Sequence, residues 1–120
     1  MQITVYHNPN CGTSREVLAA IRASGQEPRI VEYLKTPLSR AELEALTRRM
    51  AIPPRDLVRT KEPLYAELGL DKPGVGDGEI LDAMAAHPVL MNRPIVATAH
   101  AAKLCRPGAV VHELLAGRGS

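Results

Sequence analysis

The sequence predicts an α/β fold: a mixed sheet flanked by helices, with a helical insertion in the middle of the chain. Three observations predict it. Short runs of alternating or β-branched apolar residues lie near both ends, at Gln2–Tyr6, Pro28–Tyr33 and Ile95–Ala97. Between them come apolar residues at helical spacing behind capping signatures. Helix signals without a strand signal fill the centre, from Ser39 to His87. The order is therefore strand, helix, strand, several helices, strand, strand, helix.

Each element has a local reason. In Gln2–Tyr6, Ile3 and Val5 share one face, and the turn residues His7-Asn8-Pro9-Asn10 break the strand. Thr13-Ser14-Arg15-Glu16 has the spacing of a capping box, a hydroxyl followed three positions later by Glu. Val17, Leu18 and Ile21 follow at helical spacing, and Gly25 is the expected stop. Ile30-Val31 centres the second strand. Ser39-Arg40-Ala41-Glu42 repeats the capping box, with Leu43, Leu46 and Met50 as the apolar stripe. Pro53-Pro54 opens a short segment, and Pro63–Leu68 reads as one or two helical turns closed by Gly69. Lys72–Gly78 is a Gly-rich surface loop in which Asp77 is placed to cap a helix carrying Ile80, Leu81 and Met84, ended by His87-Pro88. Pro94 stands at the mouth of the third strand, where its missing N–H is not needed. Lys103–Arg106 reads as a short fourth strand. Pro107 begins a closing helix with Val110, Val111, Leu114 and Leu115 inward, Gly117 ending it and Arg118-Gly119-Ser120 frayed.

The chain has 120 residues, a length that favours a single domain spanning 1–120. Without Phe or Trp and with three Tyr, the core must be aliphatic. A formal net charge of +2 lacks the basic excess of a nucleic-acid binder, and the scarcity of aromatics leaves no stacking platform for single strands. No stretch approaches the ~20 apolar residues that a membrane span needs. The N-terminus has no basic region and apolar run of the signal-peptide kind. Two cysteines are too few for a secreted disulfide framework, so a cytoplasmic protein with free thiols is expected. His7, His87, His100 and His112 show no ligand spacing, and no metal site is expected.

Cys11 lies in the loop just ahead of the first helix. A nucleophilic cysteine acts as the thiolate, and a helix N-terminus favours the charged form through its partial positive charge and free N–H groups. Gly12 allows close backbone approach, Thr13 and Ser14 add hydroxyls, and Arg15 and His7 are possible cationic neighbours. The same N–H groups suit an oxyanion. The ordinary alternative is a packed structural cysteine, but the flanking residues here are polar or small. The C-x-x-S spacing provides no adjacent resolving thiol, so a reductive cycle needs outside thiols. The loop is also not the C-x5-R loop of cysteine phosphatases, because Arg15 stands only four positions on from Cys11.

The string His7-Asn8-Pro9-Asn10-Cys11-Gly12-Thr13-Ser14-Arg15 resembles the signature of the glutathione- and glutaredoxin-linked arsenate reductases, the ArsC family. The likeness continues through Tyr33-Leu34-Lys35-Thr36-Pro37, Glu62-Pro63-Leu64-Tyr65, His87–Val96 and Leu104-Cys105-Arg106-Pro107. It implies a thioredoxin-like fold enlarged by a helical insertion. It also implies reduction of arsenate to arsenite, with Cys11 as the nucleophile and Arg59, Arg93 and Arg106 binding the oxyanion. A cis Arg93-Pro94 bond is implied as well, with glutathione as co-substrate rather than a bound cofactor and glutaredoxin as partner. Arginine suits the task because its planar fork pairs with a tetrahedral oxyanion and stays charged. Arg59 has a close competitor in Arg55.

Cys105, between Leu104 and Arg106, reads as a small packed thiol. His7 either tunes Cys11 or holds the loop by hydrogen bonds, and the second is favoured. Two other functions fit the same layout: a thioredoxin-like regulator without catalysis, and a general glutathione-dependent oxidoreductase without arsenate specificity.

Overall fold

A computed structural model gives the architecture and describes residues 2–116. The chain divides into two compact units, residues 1–36 with 93–120, and residues 37–92.

The first unit is built on a mixed four-stranded sheet of order β2-β1-β3-β4. Strand β1 (Thr4–Tyr6) pairs in parallel with β2 (Arg29–Val31), Val5 facing Ile30. On its other side β1 runs antiparallel to β3 (Ile95–Ala97), Val5 facing Val96, and β3 runs antiparallel to β4 (Ala102–Leu104). The strands expected at Gln2–Tyr6 and Pro28–Tyr33 are shorter than their apolar runs. After Val31 the chain leaves the ladder, and Lys35 and Thr36 both donate to the Glu32 carbonyl in a turn. The fourth strand ends before Cys105 rather than at Arg106. The Cys105 N–H still donates to the Pro94 carbonyl at 2.9 Å, but Pro107 has no N–H with which to continue the ladder.

Helix α1 (Gly12–Ala23) and the closing helix of this unit, Val111–Leu115, pack together on the sheet. Their core joins Ile3, Val5 and Val96 to Val17, Ile21, Val111 and Leu114, with Ala101 and Cys105 inside it. The capping box expected at Thr13–Glu16 does not form. A turn in which the Cys11 N–H donates to the Asn8 carbonyl at 3.0 Å delivers the chain into the helix two residues earlier, with Cys11 as N-cap and Thr13 already inside. The helix stops where expected: Ser24 is the C-cap and Gly25 follows at φ +88°, a left-handed conformation that glycine adopts freely. The closing helix is preceded by a 3₁₀ turn, Gly108–Val110, that starts at Pro107. The end expected at Gly117 and the tail Arg118–Ser120 lie outside the described residues.

The second unit is helical. Helix α2 (Arg40–Met50) has the expected capping box: the Glu42 N–H donates to Ser39 Oγ at 3.1 Å, and the Ser39 N–H donates to Glu42 Oε1 at 3.0 Å. A 3₁₀ turn at Pro54–Asp56, helix α3 (Pro63–Glu67), helix α4 (Asp77–Ala86) and a second 3₁₀ turn at Pro88–Leu90 follow. With α1 to α4 in place, the closing helix Val111–Leu115 is α5. Helix α2 packs against α4, and Arg40 Nε bonds Asp82 Oδ1 across them at 2.6 Å. Asp77 is not the cap of α4. Gly76 is, and Asp77 stands at the first helical position with its carboxylate 3.3 Å from the Arg55 guanidinium. Leu57 and Asn92 are joined by a backbone bond of 2.9 Å, Val58 bridges Met91 antiparallel, and the Arg59 N–H donates to the Leu90 carbonyl at 2.7 Å. No helix among the described residues is long and apolar enough to cross a membrane.

Candidate active site

In the first unit the loop from His7 to Cys11 is held at both ends. The His7 N–H donates to the Val31 carbonyl at 2.8 Å, extending the β1–β2 pairing by one residue. Asn8 Oδ1 accepts from the Asn10 N–H at 2.9 Å, a side-chain turn that shapes the approach to Cys11. Ser14, fully buried at the third position of α1, points back under the loop. Its Oγ accepts from the Asn8 N–H at 3.1 Å and lies 2.6 Å from His7 Nδ1. With that lone pair occupied by the N–H, the remaining hydroxyl proton suits an unprotonated Nδ1. Burial lowers the His7 pKa, Glu32 opposes this, and Arg22 and Arg15 add to it; the net shift is downward and favours neutral imidazole. His7 is thus not the cationic neighbour of the thiol that the sequence suggested as possible. Arg15 is directed elsewhere too: its Nη1 donates to the Pro9 carbonyl at 2.9 Å, bracing the loop from outside.

Cys11 caps α1 with an extended backbone (φ −97°, ψ 121°), and its side chain makes no regular cap hydrogen bond. Cys11 as a residue is 7% exposed, and its sulfur lies within reach of the surrounding cations. Arg106 Nη1 stands 3.7 Å from Sγ and also donates to the Arg93 carbonyl at 3.2 Å. Burial by itself would raise the thiol pKa. The Ser14 N–H, the charge of Arg93, and hydrogen bonding from Arg106 and Arg93 outweigh it, so the pKa lies below its ordinary value of 9.0. The positive helix end and two guanidiniums therefore favour the thiolate. Both flanking X–Pro peptides, Arg93-Pro94 and Arg106-Pro107, are cis.

The second cysteine has the opposite environment. Cys105 is fully buried in the aliphatic core, and burial pushes its thiol up to about 12, with Lys103 lowering and Glu113 raising it further. A neutral thiol of this kind is inert, as the packed-thiol reading of the sequence has it.

Of the remaining sequence candidates, Gly12 and Thr13 form the first helical positions after Cys11, Gly12 exposed and Thr13 half-buried. Arg59 belongs to the second unit, half-buried, with Nη1 3.5 Å from Glu62 Oε2. Arg55 is more exposed and engaged with Asp77. Sequence reading did not single out Glu62 as the partner of Arg59, although the i,i+3 spacing was visible. Among the described residues no group of three or more His, Cys, Asp or Glu side chains is arranged to hold a metal ion.

The sheet order, the antiparallel β3 between β1 and β4, the helical insertion and the cysteine at the head of α1 define a thioredoxin-like protein with a single-thiol site. Comparison with known proteins narrows this class. The sequence profile of the ArsC family matches residues 6–114. The chain is 52% identical to the arsenate reductase of Rhizobium meliloti over 115 residues, 96% of this chain and 82% of the relative. It is 50% identical to the arsenate reductase of Escherichia coli K12 over 113 residues, 94% and 80% of the two chains. The solved arsenate reductase from Vibrio cholerae superposes with a TM-score of 0.91 at 39% identity, covering 94% of this chain and 97% of that one. The chain belongs to the ArsC family.

Proposed function

We propose that this protein reduces arsenate to arsenite in the cytoplasm, with Cys11 as the nucleophile. The observation that carries the proposal is a single ionisable sulfur at a helix N-terminus, with the Arg106 guanidinium 3.7 Å away and the charge of Arg93 acting on it. The relatives named above, at about half identity over nearly the whole chain, are arsenate reductases and support the choice of oxyanion.

In this reading arsenate docks on the N–H groups of Gly12, Thr13 and Ser14 and on the guanidiniums of Arg93 and Arg106, with Arg59 as the third arginine. The Cys11 thiolate attacks arsenic, an S–As bond forms, and one protonated oxygen leaves as water. The guanidiniums spread the charge that gathers on the remaining oxygens as the bond forms. Glutathione then attacks the adduct, and a second water leaves. The Cys11 and glutathione sulfurs then join as a disulfide while both S–As bonds break, one of their electron pairs reduces As(V) to As(III), and arsenic takes up a water and departs as arsenite. Glutaredoxin reduces the mixed disulfide and restores the Cys11 thiol. Ser14 occupies the place of a resolving thiol and Cys105 is held neutral in the core, which supports external donors. Phosphate, with the same shape and charge, is a competing ligand.

The test is turnover of arsenate by the purified protein with glutathione and glutaredoxin. Cys11→Ser is expected to abolish it and Cys105→Ala to retain it. Substantial activity in Cys11→Ser removes the nucleophile. Reduction of a glutathionylated peptide without reduction of arsenate points instead to a general thiol oxidoreductase.

A further inference from the structure

Arg15 is a cation beside the site that the reaction proposed above leaves unused. It stands one turn into α1, four residues on from Cys11, and is exposed. Its side chain does not run free into solvent. Nη1 donates to the Pro9 carbonyl at 2.9 Å, which draws the guanidinium back toward the loop that carries Cys11. Nη2 lies on the Gly12 side, 3.8 Å from where a β-carbon on that residue would stand. One guanidinium thus flanks Cys11 along the chain, bonded at residue 9 and beside residue 12. No carboxylate among the described residues lies within ion-pair reach of it, whereas Arg22 on the same helix is paired with Glu27 at 3.1 Å. Nor is Arg15 one of the charges that act on the sulfur, which are those of Arg93 and Arg106. A guanidinium has five N–H donors, and the Pro9 carbonyl takes one of them. Held in place, exposed and without an anion, it is suited to receive a carboxylate.

The second reactant supplies one. Glutathione carries two carboxylates and one ammonium group, and its glycyl carboxylate belongs to the residue next to its cysteine. Gly12 likewise stands next to Cys11, and neighbouring α-carbons are about 3.8 Å apart. A thiol brought to the Cys11 sulfur therefore carries its carboxylate across about the same step, and Gly12 puts no side chain in the way. We propose that Arg15 selects the thiol donor: its guanidinium takes a carboxylate of the incoming thiol while the thiol sulfur approaches Cys11. The proposal rests on the reading of Cys11 as the reacting sulfur, and it names the class of donor as an anionic thiol.

The dependence on the donor's charge separates selection from a mere brace of the loop. A brace acts through Cys11 and changes its reaction with every thiol alike, whereas a carboxylate receptor favours anionic thiols. The experiment uses no arsenate. Cys11 is first joined to thiopyridine by exchange with dithiodipyridine, and mass spectrometry confirms the labelled residue. An added thiolate then attacks the Cys11 sulfur, a new disulfide forms, and thiopyridone leaves as a neutral, coloured product whose release gives the rate. The donors are glutathione, glutathione dimethyl ester, in which both carboxylates are masked, and neutral 2-mercaptoethanol. In Arg15→Gln, shown to be folded by its melting curve, the rate with glutathione relative to each of the other two is expected to fall roughly two- to fivefold from its value in the native protein, the scale of an exposed ion pair. The preference of the native protein is expected to weaken as salt is raised. Equal changes with all three donors, or an unaltered ratio, overturn the proposal. Failure of Cys11 to take the label removes it as the reacting sulfur and the proposal with it. Arsenate turnover is measured separately, so charge-dependent exchange in a protein inactive on arsenate would sink the reductase reading and leave the donor selectivity intact.

Discussion

Arg106 is tied at once to Cys11 and to Arg93: one guanidinium nitrogen stands 3.7 Å from the sulfur and 3.2 Å from the Arg93 carbonyl. The second contact fixes the direction of the first. A side chain with many rotamers is thereby aimed at the thiol without relying on the thiol itself for order.

Arg106→Lys is therefore expected to be more than a change of shape. Both contacts come from one nitrogen, and a lysine ammonium lacks the further guanidinium N–H groups of the planar fork that pair with an oxyanion. At sub-saturating arsenate, activity is expected to fall roughly ten- to a hundredfold, the equivalent of losing a charge-assisted hydrogen bond of about 1.5–3 kcal/mol. Steady-state kinetics beside Arg48→Lys, an exposed residue of α2, checks the assignment; equal losses would contradict it.

The two cysteines should leave opposite marks on stability as pH rises. Cys11 has a folded pKa below its ordinary 9.0, so the folded state gives up the proton first and gains stability from the lowered pKa up to about 9. Its contribution is lost as pH falls through that lowered value. Cys105 has a folded pKa of about 12, so above 9 the unfolded chain ionises while the folded one cannot, and stability falls between about 9 and 12. Melting temperature against pH is the measurement. Cys105→Ala is expected to flatten the alkaline fall, and Cys11→Ser to remove the rise that precedes it.

Ser14→Ala should loosen the loop. The hydroxyl serves the Asn8 N–H at 3.1 Å and His7 Nδ1 at 2.6 Å; without it the buried His7 nitrogen loses its partner, as does the N–H of half-buried Asn8. A loss of about 1–3 kcal/mol in urea denaturation is expected, the usual cost of orphaning buried polar groups. Ser14→Thr, which keeps the hydroxyl, should recover part of it if the added methyl is accommodated.

Ile21 and Ile30 make a matched pair for the core. Ile21 is fully buried between α1 and the sheet, whereas Ile30 is 37% exposed on the edge strand. Ile21→Ala is expected to cost about 2–5 kcal/mol and Ile30→Ala far less, by chemical denaturation. Similar losses at the two positions would contradict the placement of the core.

The fold was legible because local and tertiary preferences agree through most of the chain. The Ser39–Glu42 box forms, Gly25 and Gly69 take the positive φ that their stop positions require, and β3 coincides with Ile95–Ala97. Legibility failed where a turn decided the matter. The Thr13–Glu16 spacing is a genuine capping signature, but the backbone bond from Cys11 to Asn8 starts the helix earlier and frees Ser14 for tertiary contacts. Asp77 likewise yields the cap to Gly76 because its carboxylate engages Arg55, a partner 22 residues away. Of the site, Cys11 and its loop could be read locally. The approach of Arg106, 95 residues along the chain, could not, and came only from family resemblance.

Position 11 has one further consequence. The side chain of the residue that caps α1 accepts no regular cap hydrogen bond from the first-turn N–H groups, whereas serine or aspartate in that place is worth on the order of 1 kcal/mol to a helix. Replacing sulfur by oxygen here is expected to strengthen the helix start and, on the role proposed for Cys11, to remove the attacking group. On that role, drift toward robustness and retention of chemistry pull this codon in opposite directions, and serine is one base change away.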